Sequence, residues 1–569
     1  MPRLAIRAAR LALLAACAAP AAARAQTPRG PAADSASAAP AALPLKYTPR
    51  PTAAAITVGD LMSRLYAFAD DSMMGREAGT EGNVKATAFI ARELARLGLR
   101  PAGENGTYFQ ALPFVRRTAA PGARLVVDGR TVDAGDFVLA LARGTPRAFD
   151  GTAAVVFGGA AGQASLTREQ AAGKVVLLRL ETLGAQRIAA SSPLAAAAAV
   201  VYAGPDRIDP ALRNQAPAMA MAAEPGAATV PPQLFVTRAV AERMLGGRLD
   251  AATAGTAGRP VAATLRFTEA PAPARNVVAV LPGADAAVRG QYVALGAHND
   301  HVGYARRAVD HDSLKAANAL RRAAYVALDT AGAEALDAAA ERQVAERARA
   351  ARVNVDSMRR LRPARPDSIN NGADDDGSGT AAVLAIAGRY AALPQAQRPA
   401  RSLLFVWHTG EEEGLLGSEW FTDHPTVPRE SIVAQINIDM IGRNHPDSVY
   451  LVGSRRASTQ LGQMVEAANA RQARPMGLDY SFDAPGHPEQ IFCRSDHYNY
   501  ARYGIPVTFF TTGLHEDYHK PSDEIDKIDF AKLTRITGLI SDLVGQVAAA
   551  PARPAVDRPV PPLGTPCTQ

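Results

Sequence analysis

The sequence predicts an α/β protein, a sandwich built on a mostly parallel sheet that is interrupted by a β-rich module and a helical insertion. Three observations carry this. From Asn276 onward, apolar runs of strand length alternate with helical patterns. Between residues 120 and 268, short Val-rich runs alternate with small-residue turns and offer few His or clustered acids. Between residues 304 and 368, an Ala- and Arg-rich stretch of helical composition breaks the alternation. With 569 residues, 48% of them hydrophobic, the chain exceeds one ordinary domain and supports more than one core.

Taken in order, the chain opens on Arg3, Arg7 and Arg10, an apolar stretch at 11–23 and a small-x-small site at Ala23-Arg24-Ala25. Residues 1–25 therefore read as a secretion signal. A rival reading takes Leu14-Ala15-Ala16-Cys17 as a lipobox, with a lipid anchor on Cys17. Both imply export, to the periplasm or beyond the cell. Residues 26–54 are rich in Ala and Pro and read as a flexible tether. The main domain is expected over 55–119 and 269–550, with a helix at 84–97 stopped by Gly98. Its strands are expected at 276–281, 291–295, 402–406, 432–438, 449–452 and 506–510, and further helices at 380–390, 458–470 and 530–548. The Pro-rich tail, 551–569, is expected to be disordered.

Composition excludes several classes. Three cysteines, Cys17, Cys493 and Cys567, make neither a disulfide scaffold nor a Cys-rich zinc module, although the last two could pair after export. No internal stretch is long and apolar enough to span a membrane. Of the net charge of +7, five charges lie between Tyr304 and Pro366, with 13 Lys and Arg against 8 Asp and Glu. That segment reads as a solvated helical face, and no nucleic-acid partner is expected.

The chemistry concentrates where strands end. Glu411, Glu412 and Glu413 follow the apolar run 402–406 and the break at Thr409-Gly410. Three adjacent like charges call for a cation among them, although a helix N-terminus also favours acids. His298, Asp300 and His301 follow another strand, Asp374, Asp375 and Asp376 precede a helix, Asp439 follows 432–438, and Tyr518 and His519 lie beyond 506–510. In open parallel sheets, sites form at the carboxyl ends of strands, so these five stretches can meet in one crevice. Two His with three or four carboxylates exceed one tetrahedral zinc but suit two, with a shared carboxylate bridging metals roughly 3.5–4 Å apart. His301, His408, Asp376 and Asp496 read as structural, Glu413 as facing solvent or supporting a ligand from behind, and His519 is preferred to His515 as a ligand.

The set His-x-Asp, Gly-Ala-Asp-Asp-x-x-Ser-Gly, Glu-Glu-x-Gly-Leu-x-Gly-Ser, Asp-Met and Tyr-His-x-Pro-x-Asp resembles metallopeptidase family 28, the di-zinc aminopeptidases and glutamate carboxypeptidases. The resemblance covers about 57–112 and 272–550, and the module at 120–268 resembles a protease-associated domain. It implies a zinc exopeptidase fold and two zinc ions held by His298, Asp374, Glu412, Asp439 and His519, with Asp374 bridging. It implies Glu411 as general base toward the attacking water, Asp300 orienting His298, and Tyr518 donating to the oxyanion. A cis bond is expected at Asp374-Asp375. The implied activity is an exported aminopeptidase acting on peptides. The alternatives are a carboxypeptidase or dipeptidase and a non-catalytic receptor-like binding protein. The insertion at 304–368 departs from the family, and because it leaves and returns beside site residues, it is expected to roof the crevice.

Overall fold

The computed structural model describes residues 47, 54–141, 146–163, 165–180, 188, 191–204, 206, 208, 217–223, 229–327, 346, 356–361, 363–560, 562–563, 565, 567 and 569. All lie in the unit Leu43–Gln569. The expected signal at 1–25, the Cys17 anchor and all of the tether except Tyr47 and Ala54 fall outside the described residues.

A nine-stranded sheet organises the main domain. At its centre Ser402–His408, Tyr292–His298, Ile432–Ile438 and Val507–Thr511 run parallel in that spatial order. These strands are buried along their length, as the continuous apolar runs require. The sheet is not parallel throughout. Arg275–Leu281 pairs antiparallel with Ser402–His408 on one side, and Ser448–Val452 pairs antiparallel with Val507–Thr511 on the other. Apolar runs report burial and not direction, so the sequence could not show that the sheet is mixed.

Helices cover both faces. Val58–Phe68, Glu81–Arg96, Gly377–Ala391 and Phe530–Ala549 bury one face of the sheet in a core that includes Leu61, Ile90, Leu384, Leu403, Phe405, Trp407 and Leu543. Leu416–Asp423 and His497–Ala501 cover the other, around Phe421 and Tyr500. Cap residues set the helix starts: Ser458 accepts from Leu461 N and Asp529 from Lys532 N. Gly98, at φ +73°, follows the helix at 81–96 as expected.

The β-rich module holds a five-stranded sheet and a four-stranded sheet that share one core, with Val127, Phe157, Val201 and Val236 in it. The insertion stands on a two-stranded ribbon, Tyr304–Asp310 against Pro366–Ile369. Helix His311–Ala327 follows the first strand, and Asp356–Leu361 is also helical, whereas 328–345 and 347–355 lie outside the described residues.

The tail corrects its expectation. Cys567 is bonded to Cys493, Asp557 accepts from Thr459 N at 2.8 Å, and Gln569 Oε1 accepts from Phe492 N at 2.9 Å. Proline-rich composition signals a lack of helix or strand, and here loop contacts and a crosslink hold described residues of the segment instead. No helix among the described residues is long and apolar enough to cross a membrane.

Candidate metal centre

The central strands end in acidic loops on one side of the sheet. His298 is the last residue of its strand, and its backbone is clamped on both sides: its N donates to Asp376 Oδ2 at 3.1 Å, and Thr380 Oγ1 donates to its carbonyl at 2.9 Å. The ring then points Nε2 at Asp375 Oδ1, 3.1 Å away, and Asp439 Oδ1, 3.5 Å away. The other oxygen of Asp375 lies 3.2 Å from His519 Nε2, which is 2.8 Å from Glu412 Oε2. Two donor groups result, His298–Asp375–Asp439 and His301–Asp375–Glu412–His519, and Asp375 belongs to both.

Asp375 therefore takes the shared position that the sequence reading gave to Asp374. Asp374 turns away: its Oδ1 accepts from Gly442 N at 2.6 Å, and its Oδ2 lies 3.5 Å from His515 Nε2. The cis peptide is Asp375-Asp376, one residue later than expected. Three consecutive Asp look alike in sequence, and only the backbone path decides which one faces the crevice. Asp376 caps the helix Gly377–Ala391 through Gly379 N and also accepts from Met440 N and His298 N. Gly379 has to be glycine, because a Cβ there would sit 2.3 Å from Asp376 Oδ1 and 2.4 Å from the carbonyl of Ile438.

His301, read from sequence as structural, is buried beside Glu412 with its Nδ1 2.8 Å from Oε1. Glu412 stays below its ordinary range despite burial, with His301 and His519 contributing, so as a carboxylate it accepts and His301 Nδ1 donates. Asp300 also differs in detail. His298 Nδ1 meets the Asp300 backbone carbonyl at 3.1 Å, while the carboxylate is 3.8 Å away and accepts from Glu411 N instead. Asp439 keeps Oδ2 on Ser495 Oγ, 2.7 Å away, leaving Oδ1 for the crevice. His408 is a packed histidine, 3.0 Å from Tyr500 Oη and 3.2 Å from Asp496. Glu411 to Gly414 forms a turn before the helix at Leu416, so the acids precede the helix and do not form its first turn.

Two supports were given no role in the sequence reading, although Asp523 closes its Tyr-His-x-Pro-x-Asp motif. Arg76 is fully buried, and its guanidinium donates to the carbonyls of Asn371 and Gly372. Asp523 accepts from the backbone N of Asp374 and of Asp375. Together they hold the 371–376 loop in shape. Neither lies near the acidic runs in sequence. For Arg76 the one sequence signal was its place beside Gly75, and in the structure Met74, Gly75 and Arg76 all take positive φ.

The donor chemistry fits a bound metal. His298 Nε2, Asp375 Oδ2, Asp439 Oδ1 and His519 Nε2 are buried, face one another across the two groups and make no hydrogen bond. Burial pushes Glu411, Asp439 and Asp300 up, the last to about 7. Burial would depress His519, yet Asp375 and Glu412 raise it to about 10. So many buried acids around so few fixed cations make a site that divalent ions would neutralise. Glu411, which belongs to neither donor group, lines an adjoining cavity with Asp375 and Asp439. Met440, Phe482, Ile491, Phe509 and Leu514 give that cavity apolar walls, and Tyr518 completes them. Burial and the nearby carboxylates push the Tyr518 hydroxyl up, so it remains a proton donor.

Residues 276–544 match the family model of Peptidase family M28. A probable leucine aminopeptidase of Arthroderma benhamiae is 30% identical over 205 residues, which is 33% of this chain and 53% of that protein. Leupeptin-inactivating enzyme 1 of Streptomyces exfoliatus is 30% identical over 164 residues, 28% of this chain and 34% of that protein. The chain spans about half the length of the first of these relatives, or less. Among solved structures, an aminopeptidase from Aneurinibacillus sp. strain AM-1 shares the fold with a TM-score of 0.51 at 16% identity, covering 89% of this chain and 97% of that one.

Proposed function

We propose, from the match of residues 276–544 to the family model of Peptidase family M28, that the protein is an exported metallo-aminopeptidase that binds two zinc ions and removes N-terminal residues from peptides. The observation that carries the reading is the pair of His–carboxylate groups joined at Asp375, with Glu411 beside them and in neither. His298 and Asp439 would hold one ion, Glu412 and His519 the other, and Asp375 both. When bound, the ions supply Lewis acidity toward the scissile carbonyl and the attacking water.

The chain's own residues supply the rest. Glu411, its backbone fixed by Asp300 and its carboxyl made more basic by burial, takes a proton from the attacking water and passes it to the leaving amine. Tyr518 donates its hydroxyl toward the developing oxyanion. His301 holds Glu412 in the orientation that leaves Oε2 for His519. The apolar walls favour an uncharged side chain at the substrate's N-terminus. The acids Glu411 and Asp439 favour an amine over a carboxylate there. The one Arg lining the cavity, Arg494, is paired with Glu489 at 2.6 Å. Export is supported by the Cys493–Cys567 bond, which persists in oxidising compartments. The β-rich module, with its two sheets on one core, supports assignment as a protease-associated-like domain.

The test is hydrolysis of one peptide bearing an N-terminal leucine in three forms, free at both ends, N-acetylated and C-amidated, with metal content measured on the same sample. Two zinc ions and loss of cleavage on acetylation are expected. Loss on amidation instead would establish a carboxypeptidase, and no cleavage of any form with metal bound would establish a binding protein.

A further inference from the structure

We propose that His311, Asp367 and Glu524 form a separate divalent-cation site, for Zn²⁺ or Mn²⁺, that ties the base of the helical insertion to the loop carrying Tyr518 and His519. The three residues come from three elements. His311 opens the helix His311–Ala327, Asp367 lies in the returning strand Pro366–Ile369, and Glu524 follows the 516–522 turn. One ligand atom from each lies within 4.8 Å of the others. One imidazole nitrogen and two carboxylates form a donor set that suits these metals and leaves room for water.

A second observation points to a ligand. His311 is 8% exposed, and its Nε2 makes no hydrogen bond. Its Nδ1 lies 3.5 Å from Asp367 Oδ2, too far for a good hydrogen bond. Neither carboxylate forms an ion pair with Lys or Arg among the described residues, although Lys315 draws the Glu524 carboxyl down. The nearby cations are engaged elsewhere: Lys315 Nζ is 2.6 Å from Asp526, and Arg365 is 2.8 Å from Asp312. Asn371 donates to Glu524 Oε1 at 3.1 Å but brings no charge, and its amide also serves Asp71 at 2.8 Å. Burial, with Asp71 and Asp367 adding to it, pushes the Glu524 carboxyl up to about 8. A partly buried pair of acids beside a buried imidazole is costly without a cation and satisfied with one.

The location gives such a site a consequence. The insertion already meets the 515–527 loop through Asn318, which donates to Asp517 Oδ1 and Ser522 Oγ. A cation between His311, Asp367 and Glu524 would lock that contact and so fix the wall that bears His519. The site shares no residue with the two donor groups described above, and it stands or falls independently of the catalytic reading.

The experiment uses the full chain, stripped with chelator and dialysed against Zn²⁺, and separately against Mn²⁺, with bound metal counted per chain. The wild type should hold one equivalent more than the double variant H311A/D367N, whatever number the two catalytic groups hold. Glu524→Gln, which keeps the shape and the Asn371 contact, should weaken that same equivalent at least tenfold and shrink the cation-induced rise in melting temperature. If the double variant fails to fold, Glu524→Gln decides alone. Equal metal content and equal Mn²⁺ isotherms for wild type and Glu524→Gln would overturn the proposal.

Discussion

Asp374, Asp375 and Asp376 are adjacent, equally acidic and all buried, yet they differ in what they touch. Asp374 binds a backbone N–H, Asp375 faces three histidines, and Asp376 caps a helix. Substitution separates them. Asp375→Asn removes the negative charge shared by both donor groups, and metal content should fall sharply. Asp374→Asn still accepts from Gly442 N, so metal should stay bound, at a stability cost of about 1 kcal/mol for a weakened hydrogen bond. Plasma emission spectrometry on both purified variants checks this, and metal loss from Asp374→Asn alone would restore it as the bridge. Glu411→Gln keeps the shape but cannot carry a proton. Its kcat should fall by about 10²–10⁴-fold with metal content unchanged, and near-wild-type turnover would remove Glu411 from the mechanism.

At the scale of elements, the site is a product of where strands stop. Tyr292–His298, Ser402–His408 and Ile432–Ile438 deliver His298, the 411–413 acids and Asp439 to one sheet end, because parallel neighbours share a carboxyl edge. Residues with positive φ mark the sharp turns that follow, at Met440, Leu415 and His519. Such backbone is costly for side-chain-bearing residues and is held here by its surroundings, as when Thr512 N donates to the carbonyl of Met440. The insertion leaves and rejoins the domain through one ribbon. Its ribbon ends with Asp310 opposite Pro366, so a short Gly-Ser turn can join them directly. That deletion variant should keep cleavage of dipeptides and gain relative kcat/KM on long peptides. An unchanged ratio across peptide lengths would show that the insertion does not govern access.

For the whole molecule, the buried acids couple metal content to stability. Asp300, Asp375, Glu411, Glu412 and Asp439 repel one another unless cations lie among them. Free metal at about 100 times its dissociation constant adds about 2.7 kcal/mol per site. Chelation should therefore lower the melting temperature as well as activity, and restoring zinc should recover both. An unshifted calorimetric transition after complete removal would mean that the acids are accommodated without metal. Acidification should act in the same direction, since protonated ligands release metal.

The sequence by itself indicated the central strands, the helices at 84–97, 380–390, 458–470 and 530–548, and the five stretches that meet at the sheet end. These follow from local patterns: apolar runs of strand length, helix-ending residues such as Gly98, and acids or histidines placed just after strands. It also brought out Glu411, Glu412, His298, Asp439 and His519, through their place after strands together with the family resemblance. Tertiary structure decided what local pattern cannot encode. It set strand direction toward the sheet edges, chose Asp375 over Asp374, and turned His301 onto Glu412. It brought Arg76 and Asp523 from distant segments to brace the acidic loop, and it pinned the tail through Cys567. The physical reason is common to all of these. A side chain's chemistry is written at its own position, but its direction and its neighbours depend on backbone path and on contacts hundreds of residues away.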